Sequence, residues 1–149
     1  MEYGIPKKVS FNLPGYHDLC FKISDESGLN NNAGGGVSLW KDSSYDYEII
    51  DELSIFEPHV YKSIFVKVKV PGKKDTIFGN VYRPNTAPQA DLNRAIDLHN
   101  SIIQKIHSSN IFKHCDVTLC GDFNIDLLQF SQHGLTNQYL ESLLFTYYY

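Results

Sequence analysis

The chain has 149 residues, a formal net charge of −4 and 42% hydrophobic residues, which is an ordinary globular composition. This length favours one sizeable core over two full domains, and no apolar run approaches the roughly 18 residues that span a bilayer. Residues 1–10 lack the apolar segment of a secretory signal. The negative charge disfavours a nonspecific nucleic-acid coat protein but permits a nuclease, because a metal ion can supply local positive charge.

Cysteine number and spacing limit the covalent chemistry of the chain. Cys20, Cys115 and Cys120 make an odd count without any C-x-x-C spacing. This pattern argues against a disulfide framework and against a zinc site. We therefore predict reduced, mostly buried thiols in an intracellular protein.

Residues 28–36 are polar and glycine-rich, which predicts a flexible surface loop. Three consecutive glycines could cradle a phosphate, but the Gly-Lys-Ser/Thr ending of a P-loop is missing. We interpret the segment as a loop that leads into the β-prone stretch Gly36–Trp40.

A hairpin is predicted in the middle of the chain. Ile64–Val70 alternates apolar residues with Phe65, Lys67 and Lys69, so both lysines should face water on one solvated face. A turn at residues 71–75 and a second strand, Ile77–Tyr82, complete the hairpin.

A helix should follow the hairpin, because Thr86 and Gln89 have capping-box spacing and Pro88 suits a first turn. Its apolar stripe consists of Leu92, Ala95, Ile96, Ile102, Ile103 and Ile106. The pattern ends near His107–Asn110. His99 falls on the apolar face, so we expect a packed core residue there; we expect the other histidines at the surface.

The C-terminal part predicts a short buried strand at Asp116–Cys120, ending at Gly121, and a helix from about Thr136. Leu135 and Leu140 have the spacing of a hydrophobic staple, and the inner helix face should carry Leu140, Leu143 and Leu144. The uncapped ending, Tyr147–Tyr149, resembles a truncation. Strands, helix, strand and helix in this order predict an α+β fold with helices layered on sheet.

The segment Gly121-Asp122-Phe123-Asn124 directly follows the predicted strand. If strand geometry persists, Asn124 projects on the same side as Asp122, and this pair suits a water-activating base beside a phosphate oxygen. A plain turn explains the same residues equally well. An EF-hand calcium loop is rejected, because Leu127 and His133 occupy the positions that require Gly and Glu.

A second polar group stands at the end of the hairpin. Tyr82, Arg83 and Asn85 offer a hydroxyl, a guanidinium and an amide that together can hold a phosphodiester. Taken alone, however, the segment favours a strand end in which Tyr82 packs in the core and Arg83 is solvated.

Four motifs together resemble the endonuclease/exonuclease/phosphatase superfamily, and more narrowly the endonuclease domain of LINE-type, jockey-like non-LTR retrotransposon polyproteins. The motifs are Leu13-Pro14-Gly15-Tyr16, Gly34-Gly35-Gly36-Val37, Val81-Tyr82-Arg83-Pro84-Asn85 and Gly121-Asp122-Phe123-Asn124. The resemblance runs from about Leu13 to Leu144 and covers the middle of the family domain. It implies a four-layer sandwich, in which two mainly antiparallel sheets pack face to face and are flanked by helices.

The resemblance also implies a nuclear, Mg²⁺- or Mn²⁺-dependent enzyme that cleaves DNA phosphodiesters. Asp122 would orient and deprotonate the attacking water, and Asn124 would position Asp122 and the phosphate. Tyr82 would contact the phosphate, while Arg83 and Asn85 would line the DNA groove. The metal would stabilise charge that develops on the phosphate and the leaving oxygen.

Two features of the family pattern are not found. Its metal-binding Glu is not identified, because no residue around Glu2 supports that position. Its C-terminal Ser-Asp-His is absent, since the one Ser-Asp pair, Ser24-Asp25, is followed by Glu26. We therefore expect residues 1–149 to form a single partial domain, without the family's first strands and its Ser-Asp-His segment.

Two functions remain open. The chain is either a metal-dependent DNA endonuclease domain based on Tyr82, Asp122 and Asn124, or a catalytically inactive remnant that keeps the fold core. For this chain as written, the remnant is favoured; a phosphatase or lipid phosphodiesterase of the same superfamily is a weaker third possibility. Sheet edges left unpaired by missing strands would promote self-association.

Overall fold

The computed structural model describes residues 14–22, 37–84, 89–126, 128 and 134–147. Several predicted features lie outside these residues: the loop at residues 28–36, the Thr86 cap, Asn85 and Glu2. Within the described residues, no helix is long and apolar enough to cross a membrane.

Seven strands and two helices make up the described part of the chain. In chain order they are β1 (Tyr16–Lys22), β2 (Val37–Asp42), β3 (Asp46–Ile49), β4 (Phe56–Glu57), β5 (Tyr61–Lys69), β6 (Thr76–Tyr82), α1 (Gln89–Ser108), β7 (Asp116–Asp122) and α2 (Gly134–Tyr147), with a 3₁₀ turn at Asp51–Leu53. The first two strands pair with each other, and the other five form a sheet in the order β3-β5-β6-β7, with β4 also pairing with β5. A mixed sheet with two helices confirms the α+β class, while the four-layer sandwich stays a prediction.

The predicted hairpin is confirmed as the antiparallel pair β5–β6. The prediction of one solvated face on β5 is wrong for most of the strand, because Tyr61, Ser63 and Phe65 are as buried as Ile64. The α1 helix packs over the Phe65 face, so on this face charged side chains occur only towards the end of the strand. There Lys69 is exposed and Lys67 is half-buried.

The core lies between α1 and the sheet. The helix ends at Ser108, as the pattern predicts. Five of the six residues of its predicted stripe are buried, namely Ala95, Ile96, Ile102, Ile103 and Ile106, whereas Leu92 is half-buried. On the opposite face of the sheet, Val37 of β2 packs with Ile64 and Val66. The sheet is therefore covered on both faces, by α1 and by β2.

The predicted strand at Asp116–Cys120 is confirmed, but the prediction that it is buried is wrong. The strand β7 extends to Asp122 and pairs in parallel with β6 at one edge of the described sheet, so its residues alternate between exposed and half-buried. Cys120 is consequently exposed and Cys115 half-buried, which corrects the prediction of mostly buried thiols. Self-association through this edge stays a prediction.

The C-terminal helix α2 begins at Gly134, two positions before the predicted start. Among the α2 side chains that the structure describes, Thr136 and Tyr139 are buried, while Leu140 is only half-buried. Tyr139 is buried because its ring packs on His99 of α1. The side chains of Leu135, Leu143 and Leu144 lie outside the described residues.

Candidate functional site

The two polar motifs of the sequence meet at one end of the sheet. Parallel pairing of β6 with β7 aligns Val81 with Gly121 and Tyr82 with Asp122. One residue further on, the Arg83 amide donates to the Asp122 carbonyl at 3.0 Å. Because residues opposite each other in a parallel pair point to the same face, Tyr82 and Asp122 lie side by side.

Gly121 permits the close approach of the two strands. Its φ is +142°, and a Cβ at this position would overlap the Val81 carbonyl oxygen and lie 2.7 Å from the Val81 nitrogen. A side chain would therefore push β7 away from β6 directly before Asp122. The glycine that the sequence presents as a turn former instead sets the distance between the strands.

The chain leaves strand geometry after Asp122. Asn124 has a φ of +49°, and its amide donates to Asp122 Oδ1 at 3.1 Å, which closes an Asx-type turn. The Asn124 side chain donates through Nδ2 to the Arg83 carbonyl at 2.6 Å. The prediction that strand geometry persists to Asn124 is therefore wrong. Asn124 instead contacts Asp122 through the hydrogen bond of the turn.

Arg83 holds this turn from the other motif. Its Nε donates to the Phe123 carbonyl at 2.7 Å, Nη1 donates to the Pro84 carbonyl at 3.0 Å, and Nη2 donates to the Asn124 carbonyl. Burial lowers the pKa of Arg83, and the nearby Asp122 carboxylate opposes this effect. Arg83 is half-buried, and these hydrogen bonds fasten the end of β6 to the turn after β7.

Tyr82 is half-buried and packs against the cluster of Val37, Ile64 and Val66. Its ring also faces a lysine that the sequence analysis missed: Lys62 Nζ lies 5.3 Å from the Tyr82 ring centroid. Lys62 is only 1% exposed, and burial lowers its pKa. Alternation along β5 could have revealed it, because Lys62 shares a face with Ile64 and Val66.

Phe123, within the turn, packs against aromatic rings of the two helices. Phe123 packs on His99 and on Tyr139, with ring centroids 5.8 and 5.7 Å apart. His99 is 1% exposed, its Nδ1 lies 2.9 Å from the Tyr61 hydroxyl, and burial lowers its pKa to about 4. This confirms that His99 is a packed core residue.

A cavity of about 400 Å³ lies elsewhere on this face of the sheet, beside the far end of β5. Its walls are mainly apolar and include Trp40, Val68 and Phe78. Neither Tyr82 nor Asp122 contributes to it, so the cavity takes no part in the candidate site.

Asp122 is the residue of the candidate site whose side chain could bind a divalent cation. Mg²⁺ binds oxygen ligands and often uses one or two carboxylates together with substrate phosphates. Within residues 37–84 and 89–126 and the other described segments, no three His, Cys, Asp or Glu side chains come together. Asp122 would therefore supply one carboxylate ligand to such an ion, together with oxygens of a substrate phosphate.

Comparison of the chain with protein-family models, with curated proteins and with solved structures finds no match.

Proposed function

We propose that the chain is the core of a metal-dependent phosphodiesterase domain that acts on DNA, of the endonuclease type found in non-LTR retrotransposons. The observation that supports this proposal is the β6–β7 register, which sets Tyr82 beside Asp122. The Arg83 and Asn124 side chains reinforce the same junction, although they are 41 residues apart in sequence. Nuclear localisation follows from the same resemblance.

In the proposed reaction, water attacks phosphorus and the exposed Asp122 carboxylate accepts its proton. The ester P–O bond opposite the attacking water breaks, and the leaving oxygen takes a proton from solvent. The backbone amide of Asn124 fixes the Asp122 carboxylate by donating a hydrogen bond to its Oδ1. The Tyr82 hydroxyl donates to a phosphate oxygen, and Arg83 maintains the turn instead of contacting DNA. Mg²⁺ or Mn²⁺, when bound, supplies positive charge to the phosphate. Asn85 is retained as a proposed groove residue.

A second candidate function is a catalytically inactive relative that keeps the fold and binds without cleaving. The hydrogen bonds of Arg83 and Asn124 favour it, because their side-chain donors bind backbone carbonyls of the protein. In this second candidate function, the two side chains stabilise the fold instead of contacting DNA.

A plasmid-nicking assay separates these candidates. Supercoiled DNA is incubated with the chain in Mg²⁺, in Mn²⁺ and in EDTA, and the relaxed form is quantified. The endonuclease proposal expects metal-dependent nicking that Asp122→Ala abolishes.

Asp116→Ala is the matched control, since Asp116 is exposed at the other end of β7 and shares the face of Asp122. Its nicking rate should equal that of wild type. If the wild-type chain nicks DNA neither in Mg²⁺ nor in Mn²⁺, the endonuclease proposal is refuted. The proposal of a catalytically inactive relative then stands. Equal loss in both variants would refute the role of Asp122.

A further inference from the structure

We propose that Lys62 is a positioning residue of the candidate site, whose ammonium group holds the Tyr82 ring beside Asp122. The inference rests on the proposed function and deepens it, because it names the group that fixes the phosphate-contacting hydroxyl. Lys62 is not expected to touch the phosphate itself.

The strand register places Lys62 in a row that crosses four strands. Phe56 of β4 is aligned with Lys62, Lys62 with Tyr82, and Tyr82 with Asp122. The Nζ atom lies 5.5 Å from the Phe56 ring centroid and 5.3 Å from the Tyr82 ring centroid. The ammonium group therefore sits between two aromatic rings, one of which belongs to the candidate site.

Burial makes this charge costly unless it interacts with its surroundings. An ammonium group loses hydration when it enters a protein interior, whereas an apolar side chain would pack there without that penalty. Ile64 and Val66, on the same face of β5, are buried apolar residues and carry no such cost. Lys69, further along the strand, is exposed and pays no such penalty.

The rings offer Lys62 a specific interaction. The face of an aromatic ring carries negative potential, and a cation within about 6 Å of the centroid is attracted to it. Both ring distances of Lys62 meet this limit. Attraction to the cation restrains the position of the Tyr82 ring, and with it the hydroxyl that the proposed function directs at the phosphate.

Charge-specific substitutions test the inference in the nicking assay. Lys62→Met keeps chain length and removes the charge, so kcat should fall about tenfold, as expected when one cation–π contact is lost. Lys62→Arg keeps a cation that stacks on rings and should restore kcat to within about threefold of wild type. Lys69→Met, on the same strand, should leave it unchanged.

A purely structural role predicts the opposite order. Methionine packs well in an apolar site, whereas the larger arginine disturbs it. Wild-type activity in Lys62→Met, with loss in Lys62→Arg, would therefore overturn the inference.

A second measurement does not depend on catalysis. With 4-fluorophenylalanine at position 82, the fluorine resonance in the DNA-free chain should move with pH as Lys62 loses its proton. Asp122 is the other ionisable group of the row, and the Asp122→Asn variant removes any contribution that it makes to the movement. The alkaline movement should be absent in Lys62→Met and present in Lys69→Met.

The two measurements distinguish the possible failures. A resonance that does not respond to Lys62 would overturn the inference even if the chain nicks DNA. A responsive resonance in a chain that does not nick DNA would support the contact between Lys62 and the ring while refuting the endonuclease proposal.

Discussion

Replacing Gly121 with alanine tests the close approach of β7 to β6 at the candidate site. The added Cβ would overlap the Val81 carbonyl oxygen, and the φ of +142° is one that residues with side chains rarely adopt. Backbone strain of this kind costs about 1–3 kcal/mol. Steric overlap with a packed neighbour adds about 1–3 kcal/mol. We expect Gly121→Ala to lower the free energy of unfolding by about 2–6 kcal/mol.

Urea unfolding followed by circular dichroism measures this loss. Gly134→Ala provides the matched control, because Gly134 begins α2 and a Cβ there would meet no heavy atom within 4 Å. It should stay within about 1 kcal/mol of wild type. A Gly121→Ala loss below about 1 kcal/mol would refute the described approach of the two strands.

Two further predictions concern the residues around this junction. The pKa of His99 is lowered from 6.5 to about 4, so the unfolded chain binds the proton more readily, and stability should fall by about 3 kcal/mol as the pH drops from 7 to 4. In urea unfolding, His99→Gln should abolish most of this pH dependence and the exposed His107→Gln should preserve it; an unchanged slope in His99→Gln would contradict the assignment. Asn124→Ala loses the bond to the Arg83 carbonyl and strains the backbone at φ +49°, which should cost about 1–3 kcal/mol. Asn124→Gly relieves the strain alone and should be intermediate, so equal unfolding free energies for the two variants would argue against strain.

The elements with long periodic patterns could be predicted from sequence. The stripe from Ala95 to Ile106 repeats over several turns, and the β5–β6 hairpin has both alternation and a turn signal. The strand at Asp116–Cys120 could be predicted but its exposure could not, because a short apolar run has the same composition at the edge of a sheet as in its centre. Whether a strand lies at the edge or in the centre depends on how many strands pair with it. The residues of the strand itself do not show this.

The candidate site could be predicted in its residues but not in its contacts. Tyr82 and Asp122 were identified, and the register aligns them. The function of Arg83 depends on where the carbonyls of Phe123 and Asn124 lie, which a residue list does not specify. Lys62 could not be predicted as a site residue, because a lysine is normally expected at the solvent-exposed surface. Only the strand register shows that it lies beside Tyr82.

The parallel pairing of β6 and β7 has a consequence for when the site forms. Parallel strands require a crossover connection instead of a tight turn, and α1 is the helix within this crossover. Contacts between segments so distant along the chain carry a large loop-closure entropy and therefore form slowly. We therefore expect the alignment of Tyr82 with Asp122 to form late in folding, after the local β5–β6 hairpin.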